Sequence, residues 1–416
     1  MAFSKLSTAA VAASALFSSF TNAAPAATMS GLKRQSNQRF DFGSEKIRGV
    51  NLGGWLVLEP WITPSIFEAT PEQCVDEYTM SDTLGQAEMQ RRMQKHWSSW
   101  ITQADFSAMA GHGLNFVRIP VGYWSVSPIQ GDPYIQGAYE YLGKAIEWAG
   151  GSGMKVIIDL HGAPGSQNGF DNSGQRGSIG WTSGDTIAQT HKALNKIRDD
   201  HASNPTVAAI GLLNEPMGPE LDLGTIEKFY YDSWGNLKNT GVTMVFSDAF
   251  EGVDAWNDFG AGLWNIMLGV HHYEVFDSGD LEMGVQDHIS TACAYGGQMA
   301  SNNKWTMSGE WTGAMTDCAK WLNGRGIGAR YDGTYDGSYY IGSCDSYSVG
   351  TVAGLSQDAK QNIGSYIHAQ MVAYEKAAGW IFWTWKTESA PEWDFQALAG
   401  AGIIPSLGSL DTSVCG

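Results

Sequence analysis

The sequence predicts an α/β fold, a single (β/α)₈ TIM barrel with long loops at the C-terminal face of its strands. From Ile47 onward, short apolar β-branched runs alternate with longer segments of helical period, the pattern of a parallel sheet with crossover helices. There are eight such runs, the number that closes a barrel. Polar and aromatic residues follow the ends of most runs, on the one rim where barrels gather their functional groups.

In chain order the predicted strands are Ile47–Leu52, Phe116–Pro120, Val156–Leu160, Ala208–Leu213, Thr243–Ser247, Ile266–His271, Trp305–Gly309 and Trp380–Trp385. The amphipathic segments between them are Glu88–Ala110, Ala138–Gly150, Thr186–His201, Gly224–Asn239, Gln286–Ser301 and Gln357–Ala378. The fifth connection, near Gly252–Phe259, is short and only weakly helical. A doubly wound open sheet would alternate in the same way, but no GxGxxG follows the first run and no GxxxxGK[ST] occurs. The Gly- and Tyr-rich stretch Gly324–Tyr347 reads as a long loop between the seventh and eighth strands, of the kind that shapes a site.

Of 416 residues, 43% are hydrophobic and 16% charged, enough apolar material for one large core and no sign of disorder. The net charge of −18 disfavours nucleic acid and anionic membrane surfaces as partners, and a neutral substrate suits it better. The chain carries 17 Trp, 16 Tyr and 16 Phe. Most such rings fill cores, but sugars also present C–H faces that stack on them.

Residues 1–34 read as processing sequence. Lys5 opens a short positive start, an apolar run follows from Ala9 to Phe20, and Asn22-Ala23-Ala24 offers small residues for cleavage. The expected organisation is a signal peptide over 1–24, a propeptide over 25–34 ending in Lys33-Arg34, and a catalytic domain over 35–416. Such a chain is secreted, to the extracellular space or the cell wall. Cys74, Cys293, Cys318, Cys344 and Cys415 lie far apart without CxxC spacing. In an exported protein they read as disulfides with one thiol left over.

The chemistry lies after the runs. Arg118 ends the second, His161 follows the third, Asn214-Glu215 the fourth, His271-His272-Tyr273 the sixth, Glu310-Trp311 the seventh, and Trp385-Lys386 ends the eighth. Cleaving a glycosidic bond takes two carboxyl groups, one to protonate the leaving oxygen and one to attack the sugar or activate water. Glu215 and Glu310 stand on opposite sides of the predicted barrel mouth. Arg118 beside Glu310 should keep that carboxyl ionised, while Glu215 must stay protonated near the working pH. Alternation points His272 away from the rim. The histidines show no zincin spacing, so neither a metal nor another cofactor is expected.

Asn214-Glu215-Pro216 and Gly309-Glu310-Trp311 resemble the signatures of glycoside hydrolase family 5. Arg48-Gly49-Val50-Asn51-Leu52-Gly53-Gly54-Trp55, the run from Asp159 to Gly169, and Trp383-Thr384-Trp385-Lys386-Thr387-Glu388 are similar to the fungal exo-β-1,3-glucanases within it. The resemblance extends from about Ile47 to the C-terminus. It implies a retaining glycosidase with Glu215 as acid/base and Glu310 as nucleophile. It places Asn214 on the sugar 2-OH, Arg118 on Glu310, and His161, His271 and Tyr273 around the first sugar. It makes Trp385 the stacking floor, puts Glu59 at the closed end of the pocket, and sets Phe170 and Phe276 as a clamp at the entrance. Trp61 departs from the yeast members, which carry Tyr there. Four cysteines allow three connectivities; the resemblance and the loop positions favour Cys318–Cys344 and Cys293–Cys415, leaving Cys74.

The expected substrate is β-glucan, as polysaccharide or oligosaccharide, trimmed from non-reducing ends by a monomer. An endo-acting or β-1,4/β-1,6-glucanase could use the same site. A non-catalytic wall glucan-binding protein would have no need of both Glu215 and Glu310.

Overall fold

The computed structural model describes residues 39–416. The signal and propeptide readings, with Lys33-Arg34 and the start at Gln35, lie outside the described residues. Eight strands close a parallel barrel in chain order: β1 (Ile47–Asn51), β2 (Phe116–Gly122), β3 (Lys155–Gly162), β4 (Val207–Gly211), β5 (Thr243–Ser247), β6 (Ile266–His271), β7 (Trp305–Glu310) and β8 (Gly379–Phe382). Strand β8 pairs with β1 to complete the ring.

The strands are buried on both faces, which is why they read as continuous apolar runs. One face of each packs against the helices, through residues such as Val117, Ile119, Ile158 and Phe382. The inward face is closed at the barrel floor by Phe116, Ile157, Val245, Met267, Met307 and Ile381, with Phe40 and Phe42 plugging the base. Above that plug the inward residues turn polar, and there the candidate site begins.

Helices Ala138–Gly151, Thr186–His201, Leu223–Leu237, Val285–Ser301 and Gln357–Tyr374 lie where the apolar period placed them. The predicted helix Glu88–Ala110 is two helices, Gln86–Ser99 and Gln103–Gly111. Thr102 starts the second, with the Asp105 carboxylate accepting from both its backbone N–H and its hydroxyl. A cap of that kind begins a new helix in place of continuing an old one. The last helix stops at Tyr374, short of the expected Ala378. The fifth connection holds only the 3₁₀ turn Asp254–Trp256.

Cys293 is joined to Cys415 with Cα atoms 5.3 Å apart, tying helix Val285–Ser301 to the C-terminus. Cys318 is joined to Cys344 with Cα atoms 5.2 Å apart, inside the long connection from β7 to β8. Cys74 is buried and unpaired. Among the described residues no helix is long and apolar enough to cross a membrane.

Candidate active site

Alternation along the strands explains most of the site. Asn51, Arg118, Asp159, His161 and His271 share the inward side with the floor residues Phe116, Ile157 and Met267 at two-residue spacing. One inward position is glycine for reasons of space: a Cβ at Gly211 would lie 2.7 Å from the Asp159 carboxylate. Strict alternation would turn Glu310, next to inward Gly309, toward the helices. The β6–β7 register shifts between Val270 and His271, so that His271 pairs with Glu310. The irregularity re-aims Glu310 into the barrel, a common use of bulges beside sites. Glu215 is aimed by another device: it lies beyond the end of β4 with φ of 46°, a left-handed backbone rarely held by a non-glycine residue.

Arg118 is the hub beneath the pocket. Its Nη1 donates to Asn51 Oδ1 at 2.9 Å and to Glu310 Oε1 at 2.7 Å. Its Nη2 donates to Asn214 Oδ1 at 2.7 Å and sits 3.0 Å from Asp159 Oδ1. Asp159 in turn holds His161 through Nδ1 at 2.8 Å, leaving His161 Nε2 buried without a partner. The other Glu310 oxygen accepts from the Tyr273 hydroxyl at 2.9 Å.

Glu215 faces Glu310 across His271. His271 Nδ1 lies 2.8 Å from Glu215 Oε1 and 3.4 Å from Glu310 Oε2. One oxygen of each carboxyl and one His271 nitrogen all fall within 4.8 Å of one another. Asn172 Nδ2 donates to Glu215 Oε2 at 3.2 Å. Burial pushes the Glu215 carboxyl up, but the hydrogen bond and charge of His271 outweigh it and hold it below the ordinary value. Burial lowers His271, while the Glu310 charge and the Glu215 contact raise it to a net value above the ordinary one. The two groups are in hydrogen-bond contact and each moves the other's titration, so they titrate as a coupled pair.

The pocket has a volume of about 470 Å³, and its lining includes Glu59, Trp61, Trp383 and Trp393 at one end and Phe170, Phe250, Phe276 and Tyr335 at the other. Exposure follows that axis: Glu59 is 3% exposed, whereas Phe170 and Phe276 are 44% and 41%. The cavity is closed at the Glu59 end and open between the phenylalanines. Trp61 Nε1 donates to Glu59 Oε2 at 3.0 Å, and Glu59 Oε1 is buried without a partner. Burial, then the charges of Asp171 and Glu310, raise the Glu59 carboxyl well above the ordinary range. A protonated Glu59 can donate to a hydroxyl.

Trp385 requires a correction. It is fully buried among the helices, stacked near Phe395, and its Nε1 donates to Asp105 Oδ1 at 2.9 Å. Lys386 Nζ reaches the same oxygen at 2.8 Å. Strand β8 ends at Phe382, so alternation no longer governs Trp385 three residues on. The pocket tryptophan is Trp383, two residues after inward Ile381, with its ring parallel to His161 at 5.5 Å. His272 does point outward, to the Tyr374 hydroxyl at 2.7 Å. Sequence reasoning assigned no role to Asp159, Asn51, Asn172 or Trp393. The first two were reachable, because Asp159 precedes His161 by two residues and Asn51 ends the first strand on the inward side. Asn172 and Trp393 lie in loops, where no period applies.

Glu215, His271 and Glu310 are also a grouping that could meet a metal ion. Its donors are already engaged by one another, by Tyr273 and by the Arg118 guanidinium, whose positive charge opposes a cation.

Residues 81–389 match the family described as Cellulase (glycosyl hydrolase family 5). The chain is 51% identical over 375 residues to the glucan 1,3-beta-glucosidase of Blumeria graminis, covering 88% of each chain. It is 49% identical over 389 residues to a probable glucan 1,3-beta-glucosidase A of Aspergillus niger, covering 92% of this chain and 93% of that one. Among solved structures, the rutinosidase from Aspergillus niger superposes with a TM-score of 0.69 at 19% identity, over 89% of this chain and 99% of that one. At that identity the likeness speaks for the fold alone.

Proposed function

The chain belongs to glycosyl hydrolase family 5, and from that membership we propose that it is a retaining β-glycosidase releasing single glucose units from non-reducing ends of β-1,3-glucan. The observation that carries this reading is the pair Glu215 and Glu310, facing each other within 4.8 Å over Arg118 in a pocket closed at one end. Retaining enzymes hold their carboxyls about 5–5.5 Å apart, against about 6.5–9.5 Å when a water must fit between them.

In the proposed sequence, Glu310 is the nucleophile. Arg118 and Tyr273 engage both its oxygens and aim it at the anomeric carbon. Glu215, coupled to His271, protonates the departing oxygen. After the aglycone leaves, Glu215 takes a proton from water, which attacks the anomeric carbon, displaces the Glu310 carboxylate and restores the β configuration. Asn214, fixed through its Oδ1 by Arg118, holds its Nδ2 3.4 Å from Glu215 Oε2, from where it would donate to the sugar 2-OH. His161 Nε2 and Glu59 Oε1 are buried polar atoms without protein partners, and sugar hydroxyls would satisfy them. Trp383 is the stacking floor, and Phe170 and Phe276 flank the next sugar.

Substrate and mode of action rest on the glucan 1,3-beta-glucosidase relatives and on the burial of Glu59 and Trp61 in the pocket lining. Export, with removal of residues 1–34, fits the two disulfides, which persist in oxidising compartments. The product profile on a linear β-1,3-glucan tests the reading. Glucose alone is expected; a ladder of oligosaccharides would show an endo-acting enzyme.

A further inference from the structure

Behind the pocket, a line of buried hydrogen bonds joins the segment carrying Tyr273 to the segment carrying Glu310. Helix Gln357–Tyr374 supplies its middle. Gln370 is fully buried, and its Nε2 donates at 2.8 Å to the carbonyl of Thr312, two residues beyond Glu310. An amide that donates there presents its Oε1 the other way, and the Tyr374 hydroxyl donates to that oxygen at 3.0 Å. A phenol has one proton. With it committed to Gln370, the Tyr374 oxygen can only accept from His272, whose Nδ1 lies 2.7 Å away. His272 is therefore protonated at Nδ1. Burial pushes its imidazole down to about 4, and its Nε2 faces the Glu274 carboxyl at 3.7 Å, beyond hydrogen-bond reach.

These contacts bracket the proposed nucleophile. His272 lies between two pocket residues, His271 and Tyr273, and its own backbone N–H donates to the Glu310 carbonyl at 3.0 Å. Its ring is held flat on Tyr295 at 3.9 Å. The Tyr374 ring meets Trp311, next to Glu310, edge-on at 5.7 Å. One helix thus grips both ends of the Tyr273–Glu310 contact, from outside the pocket and without touching a sugar.

We propose that Tyr374 is a positioning residue for the reaction: its hydroxyl, by joining Gln370 to His272, sets Tyr273 and His271 relative to Glu310. The role rests on the reading of Glu310 as nucleophile. Tyr374→Phe removes only the hydroxyl and leaves a buried acceptor on Gln370 and a buried donor on His272 to seek other partners. A displacement near 1 Å at a reacting group can cost about a hundredfold in rate. A smaller shift transmitted through one hydrogen bond should cost roughly tenfold.

The test measures inactivation of the full-length enzyme by 2-deoxy-2-fluoro-β-glucosyl fluoride, which reads attack by the nucleophile, alongside glucose binding. Both are measured well below the variant's melting temperature. Tyr374→Phe should slow inactivation roughly tenfold while glucose binding stays within about twofold, a loss of orientation and not of affinity. An unchanged inactivation rate with a lowered melting temperature would show the hydroxyl to be purely structural. Nitrogen NMR of the wild-type protein is the second arm: His272 should carry its proton on Nδ1 between about pH 5 and 8. A proton on Nε2 would reverse the line of bonds and overturn the proposal. If the wild-type enzyme is not labelled at Glu310, the nucleophile reading itself falls, and this role with it.

Discussion

At Glu215 and His271 two ionisable groups are joined. The imidazole and carboxyl are in hydrogen-bond contact, and each moves the other's titration, Glu215 downward and His271 upward. Such a pair titrates as a unit, and the form able to cleave a glycoside is the one that still holds its proton. The kcat/KM profile should therefore fall as pH rises through the raised value of the pair. Glu215→Ala should erase that limb and cost about 10²–10⁴-fold on substrates whose leaving oxygen needs a proton. An aryl glucoside with a good leaving group should still glycosylate Glu310, and azide should speed its turnover. Failure of azide to rescue would contradict the acid/base assignment. At this scale the sequence was legible where a strand end and its period could be read together, as for Arg118, His161 and His271, whereas Glu215 and Glu310 were legible from their motifs and not from the period. It misled at Trp385, because residue identity alone cannot tell which of two tryptophans still belongs to the strand.

At the scale of elements, the hydrophobic period located every strand and nearly every main helix, because burial on both faces leaves a parallel strand little but apolar residues. The departures have local causes. Thr102 and Asp105 divide one predicted helix by forming a cap within it. Strand β8 ends three residues early, and that ending puts Trp383 in the pocket and Trp385 among the helices. The register shift between β6 and β7 is invisible in a single sequence, because it depends on how two strands about forty positions apart along the chain pair through space. Without that shift Glu310 would face the helix layer, so the bulge belongs to the site as much as the carboxylate does. The disulfide pattern was open to three connectivities on spacing alone. The loop between β7 and β8 is closed by Cys318–Cys344, behind the walls that Leu322, Asn323, Arg330 and Tyr335 lend the pocket.

For the molecule as a whole, acidity and burial together set the response to pH. The chain carries a net charge of −18, and several carboxyls outside the Glu215–Glu310 pair, Glu59, Glu274 and Asp394 among them, have values raised by burial. Burial pushes Glu77, Asp171 and Asp248 up to about 7 and Glu392 up to about 8. A carboxyl raised on folding binds its proton more tightly in the native state than in the unfolded one, where it titrates near 4. Its contribution is complete below about pH 4 and is lost as pH rises through 7 to 8. Asp105 and Asp159, lowered on balance by their cationic partners against the burial that raises them, act oppositely and are lost as pH falls. The melting temperature should therefore be highest in mildly acidic buffer, near pH 5, and decline toward pH 8, with Glu392→Gln flattening the decline. A melting temperature that rose steadily from pH 5 to pH 8 would contradict this account of the buried acids.

The central claim, that Glu215 and Glu310 act by double displacement at one anomeric carbon, is most directly tested by proton NMR of the first glucose released from a β-1,3-glucan before mutarotation. The geometry predicts the β anomer at the earliest times; an initial α anomer would mean a single inverting displacement and contradict the assignment of Glu310 as nucleophile.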